Sequence, residues 1–382
     1  MDMDVGTGVA AAVRRYAVGF DAHVLGGPGV GSGLGAWLLL ALVAAQAGPQ
    51  DRAALEEQVG LPAAPARQAV AELLADPHPA VAAAVARWAD AAALTEEFTS
   101  WALPDAVEDG PLPDQAGADR WADERTGGLV EAFPLELAEE TRLVLASALA
   151  TRISWRTPLA ELDDGGLGTD ATTARHLVME SEVGPVGVVA PTSTSGLAVV
   201  SVVADPAVAR EQVLVAAHEV AAGLASPRLP HTVEVTGDGH AWTVTEHREV
   251  RAASQDVVEE WSGWLPRWRL TSQHDLAGAP GFGTALASLA RYVRPAERPA
   301  LTESRQAAVA AYSATGFEAA AVTAMGVRAT SLQPEREALV RRIHLRLDRP
   351  HAVVAVALDT GAGGAAWQGL PVFTAWVDPT AG

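Results

Sequence analysis

Helical spacing fills most of the first hundred residues, and valine-rich runs broken by Gly and Pro fill much of the remainder. Helices first and strands afterwards argue for an α+β fold and against a regular βαβ alternation. Residues 52–59 and 65–74 repeat their apolar positions at helical spacing, and 79–100 predicts a longer helix. Pro65 and Pro79 suit first-turn positions, where the missing N–H costs little. The run 36–45 is apolar on every side, which predicts a buried helix. It is too short to cross a bilayer. Residues 105–115 read as a Pro- and acid-rich loop, and 119–130 as a helix stopped near Pro134.

The character changes after residue 140. Residues 141–155 are an apolar stretch that suits a buried strand, and 183–203 read as strands and turns. Residues 208–224 have helical character. Residues 232–245 alternate around Gly237-Asp238-Gly239, the mark of a hairpin. Residues 305–325 are Ala-rich and fit helix or strand equally, while 351–358 and 370–377 read as terminal strands. A mostly helical part, 1–140, thus precedes a sheet-rich part, 141–382.

The 382 residues are 49% hydrophobic, enough for a large core. No Pro-rich or Ser/Gly-rich tract separates independent halves, so 1–382 is expected to be a single domain. A formal net charge of −20 disfavours nucleic acid and anionic membrane as partners, and would help to steer a basic protein. The chain contains no Cys, Lys or Asn. Disulfides, thiolate metal sites and N-glycosylation are therefore excluded, and the avoidance of A-rich codons points to a GC-rich bacterial genome. The start, Met1-Asp2-Met3-Asp4, lacks the basic and apolar stretches of a secretory signal, so a cytoplasmic location is expected.

Motifs for chemistry are weak. Gly31-Ser32-Gly33-Leu34-Gly35-Ala36 resembles a nucleotide-binding loop, with Asp51 downstream, but no βαβ unit follows. A Gly-rich entry into a buried helix is the better reading. His218-Glu219 opens like a zinc-protease helix, yet Ala222 stands where the second imidazole is needed. No Gly-x-Ser-x-Gly elbow exists. Trp121, Trp155 and Trp268 are assigned to core packing rather than to ligand stacking. None of this supports an enzyme.

Four separated stretches, in order, resemble serpin signatures. Trp121-Ala-Asp-Glu-Arg-Thr-Gly-Gly-Leu-Val130, followed by Pro134, is similar to the family's helix F. Leu143-Val-Leu-Ala-Ser-Ala-Leu-Ala-Thr-Arg-Ile-Ser-Trp155 resembles the central strand of serpin sheet A, with Ser147 where the family usually has Asn. Leu265-Pro-Arg-Trp-Arg-Leu-Thr-Ser-Gln-His-Asp-Leu276 is similar to a third family run, and Gly316-Phe-Glu-Ala-Ala-Ala-Val-Thr-Ala324 to the hinge of the reactive-centre loop. Leu347-Asp-Arg-Pro350 resembles the strand entry after that loop; Pro371-Val-Phe373 with Asp378-Pro379-Thr380 resembles the C-terminal strand. Ser32-Gly-Leu-Gly35 sits where serpins carry Ser-Pro-x-Ser.

The resemblance implies three β-sheets, eight or nine helices and an exposed loop near 316–343. It implies a monomer that inhibits a serine protease, trypsin-like or subtilisin/chymotrypsin-like, without cofactor or metal. A protease cuts the loop and is held as an acyl-enzyme while the loop inserts into sheet A. The native state is then metastable. Family analogy also allows an extracellular location. The alternative is a non-inhibitory serpin-fold binding or storage protein; a nucleotide-dependent enzyme is the third reading.

An inserting strand must alternate. From Gly316, the inward side reads Phe317, Ala319, Ala321, Thr323, Met325 and Val327, without charge; the other holds Glu318, Ala320, Val322, Ala324, Gly326 and Arg328. The implied hinge is therefore Gly316, Phe317, Glu318, Ala319, Ala320, Ala321, Val322 and Thr323. Three departures from the family pattern bear on inhibition. Phe317 replaces a small residue, with overpacking of roughly 1–3 kcal/mol expected. Ala314 replaces an acid. Gln306 takes the place of the shutter His, joining Ser32 and Ser147; a Ser–Gln pair is still able to hydrogen-bond, so the resemblance implies a retuned sheet opening rather than a lost one. Counting forward from the hinge puts the scissile bond near Thr330–Ser331; counting back from Pro350 puts it near Leu339. Arg328, Arg336, Arg341 and Arg342 suit a trypsin-like protease, Leu332 and Leu339 a chymotrypsin- or subtilisin-like one.

Overall fold

The computed structural model describes residues 5–151, 153–226, 232–252, 255–295, 303–317, 335–359, 361 and 364–380. Four helices lead: α1 (Val5–Val24), α2 (Gly33–Gln46), α3 (Pro49–Val59) and α4 (Ala63–Ala75), with strand β1 (Gly29–Gly31) before α2. α2 is apolar all round because it is surrounded; Trp37, Leu38, Leu40 and Leu42 are each at most 1% exposed. Pro49 starts α3, and Gly60 ends it at φ 77, a conformation that favours glycine.

The helix expected over 79–100 is replaced by β2 (Val81–Ala89) and the short α5 (Glu96–Thr99). The Ala-rich run decides little by itself, and its partners fix it. β2 runs antiparallel to β4 (Leu143–Thr151), from Val81↔Thr151 to Ala89↔Leu143, and parallel to β3 (Glu108–Pro111), which occupies part of the expected loop. α6 (Gln115–Thr126) ends at Gly127, φ 61.

The remaining elements are β5 (Ile153–Ser154), β6 (Ala160–Glu161), β7 (Leu167–Asp170), β8 (Ala174–Met179), β9 (Val186–Pro191), β10 (Leu197–Val203) and α7 (Arg210–Ala225). Then come β11 (Trp242–Ala252), β12 (Val257–Leu265), β13 (Trp268–Asp275), α8 (Phe282–Ala290), β14 (Arg305–Tyr312), β15 (Gly316–Phe317), β16 (Glu335–Arg346), β17 (His351–Ala357) and β18 (Pro371–Val377). The hairpin expected over 232–245 does not form. The strand starts only at Trp242, whose partner is the distant Leu345, and the Trp242 indole N–H donates to the Gly237 carbonyl at 3.1 Å. Among the described residues no helix is long and apolar enough to cross a membrane.

Two compact units with interleaving segments are distinguished along the chain. The first is Met1–Thr151, Leu270–Ala310 and Ala355–Ala375; the second is Arg152–Arg269, Ala311–Val354 and Trp376–Gly382. In the first, α2 packs against α1, α3, α4 and β4, and the sheet β3-β2-β4 carries α6. The second holds the sheet β11-β16-β12-β7-β6, the antiparallel strands β8, β9 and β10, and α7 against β10.

Three sheets are expected, and the described strands form four hydrogen-bonded sets, of six, five, four and three strands. The extra set has a definite cause. Sheet order β3-β2-β4 stops at β4, and order β13-β14-β15-β5 begins separately, so β4 and β14 share no ladder among the described residues.

Candidate functional site

Within the first unit, β4 pairs with β2 on one edge, and its other edge borders a cavity of about 140 Å³. Leu145, Ser147 and Leu149 of β4 and Gln306 and Ala307 of β14 line this groove, with α2 and α8 contributing leucines. Unpaired strand edges carry backbone donors and acceptors that a further strand would satisfy.

All three expected shutter residues lie in this unit. Ser32 is 3% exposed and caps α2: its hydroxyl accepts from the Gly35 N–H at 3.1 Å and donates to the Val372 carbonyl at 2.7 Å. Gln306 grips the Ser32 main chain twice. The Ser32 N–H donates to Gln306 Oε1 at 2.8 Å, and Gln306 Nε2 donates to the Ser32 carbonyl at 3.0 Å. Gln306 thus pairs with Ser32 rather than with Ser147. Ser147 instead stands over the first turn of α2, where a Cβ on Gly35 would come within 3.2 Å of its hydroxyl. Gly33, the first residue of α2, packs directly on α1, since a Cβ there would fall 2.7 Å from Ala17.

α6 covers the opposite face of this sheet. Trp88 of β2 meets Trp121 edge-on, with ring centroids 5.1 Å apart, and Phe133 completes the group. Val144 and Ala146 of β4 are buried in the same cluster as Ala118 and Ala122 of α6. Thr126 accepts from the Val130 N–H at 2.9 Å, which fixes the chain as it leaves α6.

The second unit holds the start of the expected loop. β14 ends at Tyr312, a turn over Ser313 follows, and β15 returns antiparallel with Phe317 opposite Tyr312. The Gly316 N–H donates to the Ser313 hydroxyl at 3.2 Å. On its other edge β15 pairs antiparallel with β5, Gly316↔Ser154 and Phe317↔Ile153. Gly316 and Phe317 are therefore already strand residues between two neighbours. The Phe317 ring is 2% exposed, edge-on to Trp268 at 6.1 Å and to Tyr312 at 6.4 Å. Trp155 backs Tyr312 at 5.2 Å and donates from its indole N–H to the Ser313 carbonyl at 3.0 Å. Full burial pushes the Tyr312 phenol pKa upward. The overpacking expected of Phe317 is not observed, because an aromatic pocket receives the ring. The sequence offered Trp155 and Trp268 as core; that they frame the hinge follows only from the pairing of β15.

Glu318, Ala319, Ala320, Ala321, Val322 and Thr323 lie outside the described residues, as do Arg328, Thr330, Ser331 and Leu332. The expected loop end at 343 moves back, because β16 begins at Glu335. Leu339 pairs with Arg248 of β11 and Val257 of β12, and Arg336 pairs with Arg251. A protease needs an extended segment free on its edges. Leu339 would have to leave two ladders to be cut.

No family model matches the sequence, and no curated protein matches it either. Solved structures do. Serpin48 of the insect Tenebrio molitor aligns over 99% of both chains at 14% identity and a TM-score of 0.64. The thermophilic serpin tengpin in its native state aligns over 99% of this chain and 94% of its own, at 12% identity and a TM-score of 0.66. Human thyroxine-binding globulin complexed with thyroxine aligns over 97% of each chain, at 13% identity and a TM-score of 0.64. These likenesses cover 97–99% of the chain and show that it has the serpin fold.

Proposed function

We propose, from the serpin fold, that this chain inhibits a serine protease as a suicide substrate. The observation that carries the reading is β15: the loop's first two residues already stand between β5 and β14, while β4 has, among the described residues, no strand partner on its second edge. The protease serine attacks a loop carbonyl, the amine leaves as a new N-terminus, and the ester holds the enzyme. The freed strand then continues along β4.

The register supports this. Continuing Gly316↔Ser154 and Phe317↔Ile153 sets Ala319 opposite Thr151 and Val327 opposite Leu143. Ala320, Val322, Ala324 and Gly326 then fall opposite Ala150, Ala148, Ala146 and Val144, which are all buried. Only small or apolar residues occupy that face there. Its two charges, Glu318 and Arg328, fall at the ends, beyond the buried run. Thr323 falls opposite Ser147, on the face toward α2. Both faces of the loop sequence thus match the two faces of β4.

Phe317 favours a second reading, a binding or storage protein. A ring locked between Trp268 and Tyr312 suits a loop that stays where it is, and thyroxine-binding globulin, one of the similar structures, is complexed with a small molecule. Limited proteolysis within 318–334 separates the two. The inhibitor reading expects the cut protein to unfold at a higher temperature than the intact one; an unchanged or lower unfolding temperature supports the second reading.

A further inference from the structure

β11 is the outermost strand of the five-stranded sheet in the second unit, and among the described residues no strand lies on its second edge. Its odd-numbered residues turn their backbone groups toward β16, and its even-numbered residues turn theirs outward. The start of the strand shows both directions. On the β16 side, the Ala241 carbonyl accepts from the Arg346 N–H at 2.8 Å. On the outer side, the Trp242 carbonyl accepts from the Gly239 N–H at 2.9 Å, and the Val244 N–H donates to Asp238 Oδ1 at 2.7 Å. This cover stops at Val244. Among the described residues, the outward N–H and C=O groups of Glu246, Arg248 and Val250 have no partner. Such a row is a template for one more strand.

The side chains say what that strand must carry. Glu246 accepts from Arg341 at 2.7 Å, His247 meets Arg342 and Glu249, and Arg251 pairs with Glu249 at 3.3 Å and with Glu260. Arg248 differs: it is exposed and has no ion pair among the described residues. Val250, two residues on and on the same face, is 70% exposed, more than any other large hydrophobic residue described. The complement is an antiparallel strand that offers a carboxylate and an apolar side chain two residues apart. β11 itself offers them in that order, as Glu246 and Val244.

We propose that two copies of this chain pair antiparallel through the free edge of β11, about a twofold axis at His247. An axis normal to the sheet keeps each residue on its own face, so residues of like parity oppose each other. Glu246 of each copy then faces Arg248 of the other, and Val244 faces Val250. An axis at Glu246, Arg248 or Glu249 would set that charge against its own copy, which is destabilising. An axis at Val250 would leave Arg248 facing Ala252, with no carboxylate. At His247 the backbones of Glu246 and Arg248 exchange hydrogen bonds across the axis. The Val244 N–H passes from Asp238, an exposed residue, to the Val250 carbonyl of the second copy. The pairing uses one edge of the second unit only and holds whether or not the loop inserts. It replaces the monomer that the family resemblance implies.

Sedimentation of the intact chain at low salt should show a monomer–dimer equilibrium. The chain has no cysteine, so single cysteines report the register. His247→Cys should form a disulfide dimer under mild oxidation, because residues opposed in a non-hydrogen-bonded pair lie within disulfide range. Val250→Cys, although its position is more exposed, should not. Arg248→Glu and Glu246→Arg should each weaken the dimer roughly tenfold or more, since each sets like charges together twice. An equimolar mixture of these two variants should recover the dimer, because the mixed pair restores both opposite-charge contacts. A chain that sediments as a monomer at every concentration overturns the proposal. So does a Val250→Cys variant that cross-links faster than His247→Cys, or a mixture that associates no more tightly than its components.

Discussion

Phe317 stands opposite Tyr312 across the antiparallel turn at Ser313, their rings edge-on at 78° with centroids 6.4 Å apart. This pair shows how a bulky residue is accommodated in β15. The ring is already 2% exposed between its two strand neighbours, so under the proposed mechanism its burial is no part of insertion. Phe317→Ala should lower unfolding stability by about 2–4 kcal/mol, through lost burial and a residual cavity. Urea melts check this, and faster amide exchange at Gly316 should accompany it. An unchanged midpoint would mean that β15 is not held as described.

Gln306 binds the Ser32 main chain through both ends of its amide. Gln306→Leu keeps the volume but strands a buried N–H and a carbonyl. A loss of about 1–3 kcal/mol is expected. Ser147→Ala should cost less than about 1 kcal/mol by the same measure, since Gln306 does not depend on it. Equal losses would contradict the Gln306–Ser32 assignment.

Gly35 lies where α2 meets β4, and a Cβ there would come 3.0 Å from Leu149 and 3.2 Å from Ser147. Gly35→Ala forces the strand away from the helix. Overpacking of about 1–3 kcal/mol should appear as a lowered thermal midpoint. Gly26→Ala, which meets nothing within 4 Å, is the control that should leave the midpoint alone.

Two buried histidines set an acid limit. Burial pushes His176 down to about 4, with His344 adding to the shift and Asp170 opposing it. Burial likewise pushes His351 down to about 4, against the Arg349 carbonyl and Asp378. A free histidine titrates near 6.5, so as pH falls the unfolded chain binds these protons first. Stability is therefore complete above about pH 6.5 and declines toward pH 4, by about 1.4 kcal/mol per pH unit for each histidine. Urea midpoints at pH 7 and pH 5 should show it, and His351→Leu should remove about half of the slope. A flat profile would place both rings in contact with solvent.

The parts legible in the sequence are those whose cause is local. The apolar run of α2 announces a surrounded helix. The alternation from Phe317 to Val327 is visible without a structure. What was hidden depends on partners far along the chain. The alanines of β2 become a strand because β4 pairs with them, and Trp242 starts a strand because Leu345 lies opposite. Arg336, Arg341 and Arg342 read as loop charges until β11 and β12 place them in a sheet. Family position places Gln306 beside Ser147 and Ser32 without saying which it bonds, and only the entry into α2 shows that it is Ser32.

The most direct test of the account is to mix the protein with trypsin, chymotrypsin and subtilisin, and to follow denaturing gels by mass spectrometry. The account predicts a covalent complex with one of them that survives denaturant, together with a released C-terminal peptide beginning upstream of Glu335. Clean cleavage within 318–334 with no adduct to any protease, and no gain in thermal stability, would contradict it.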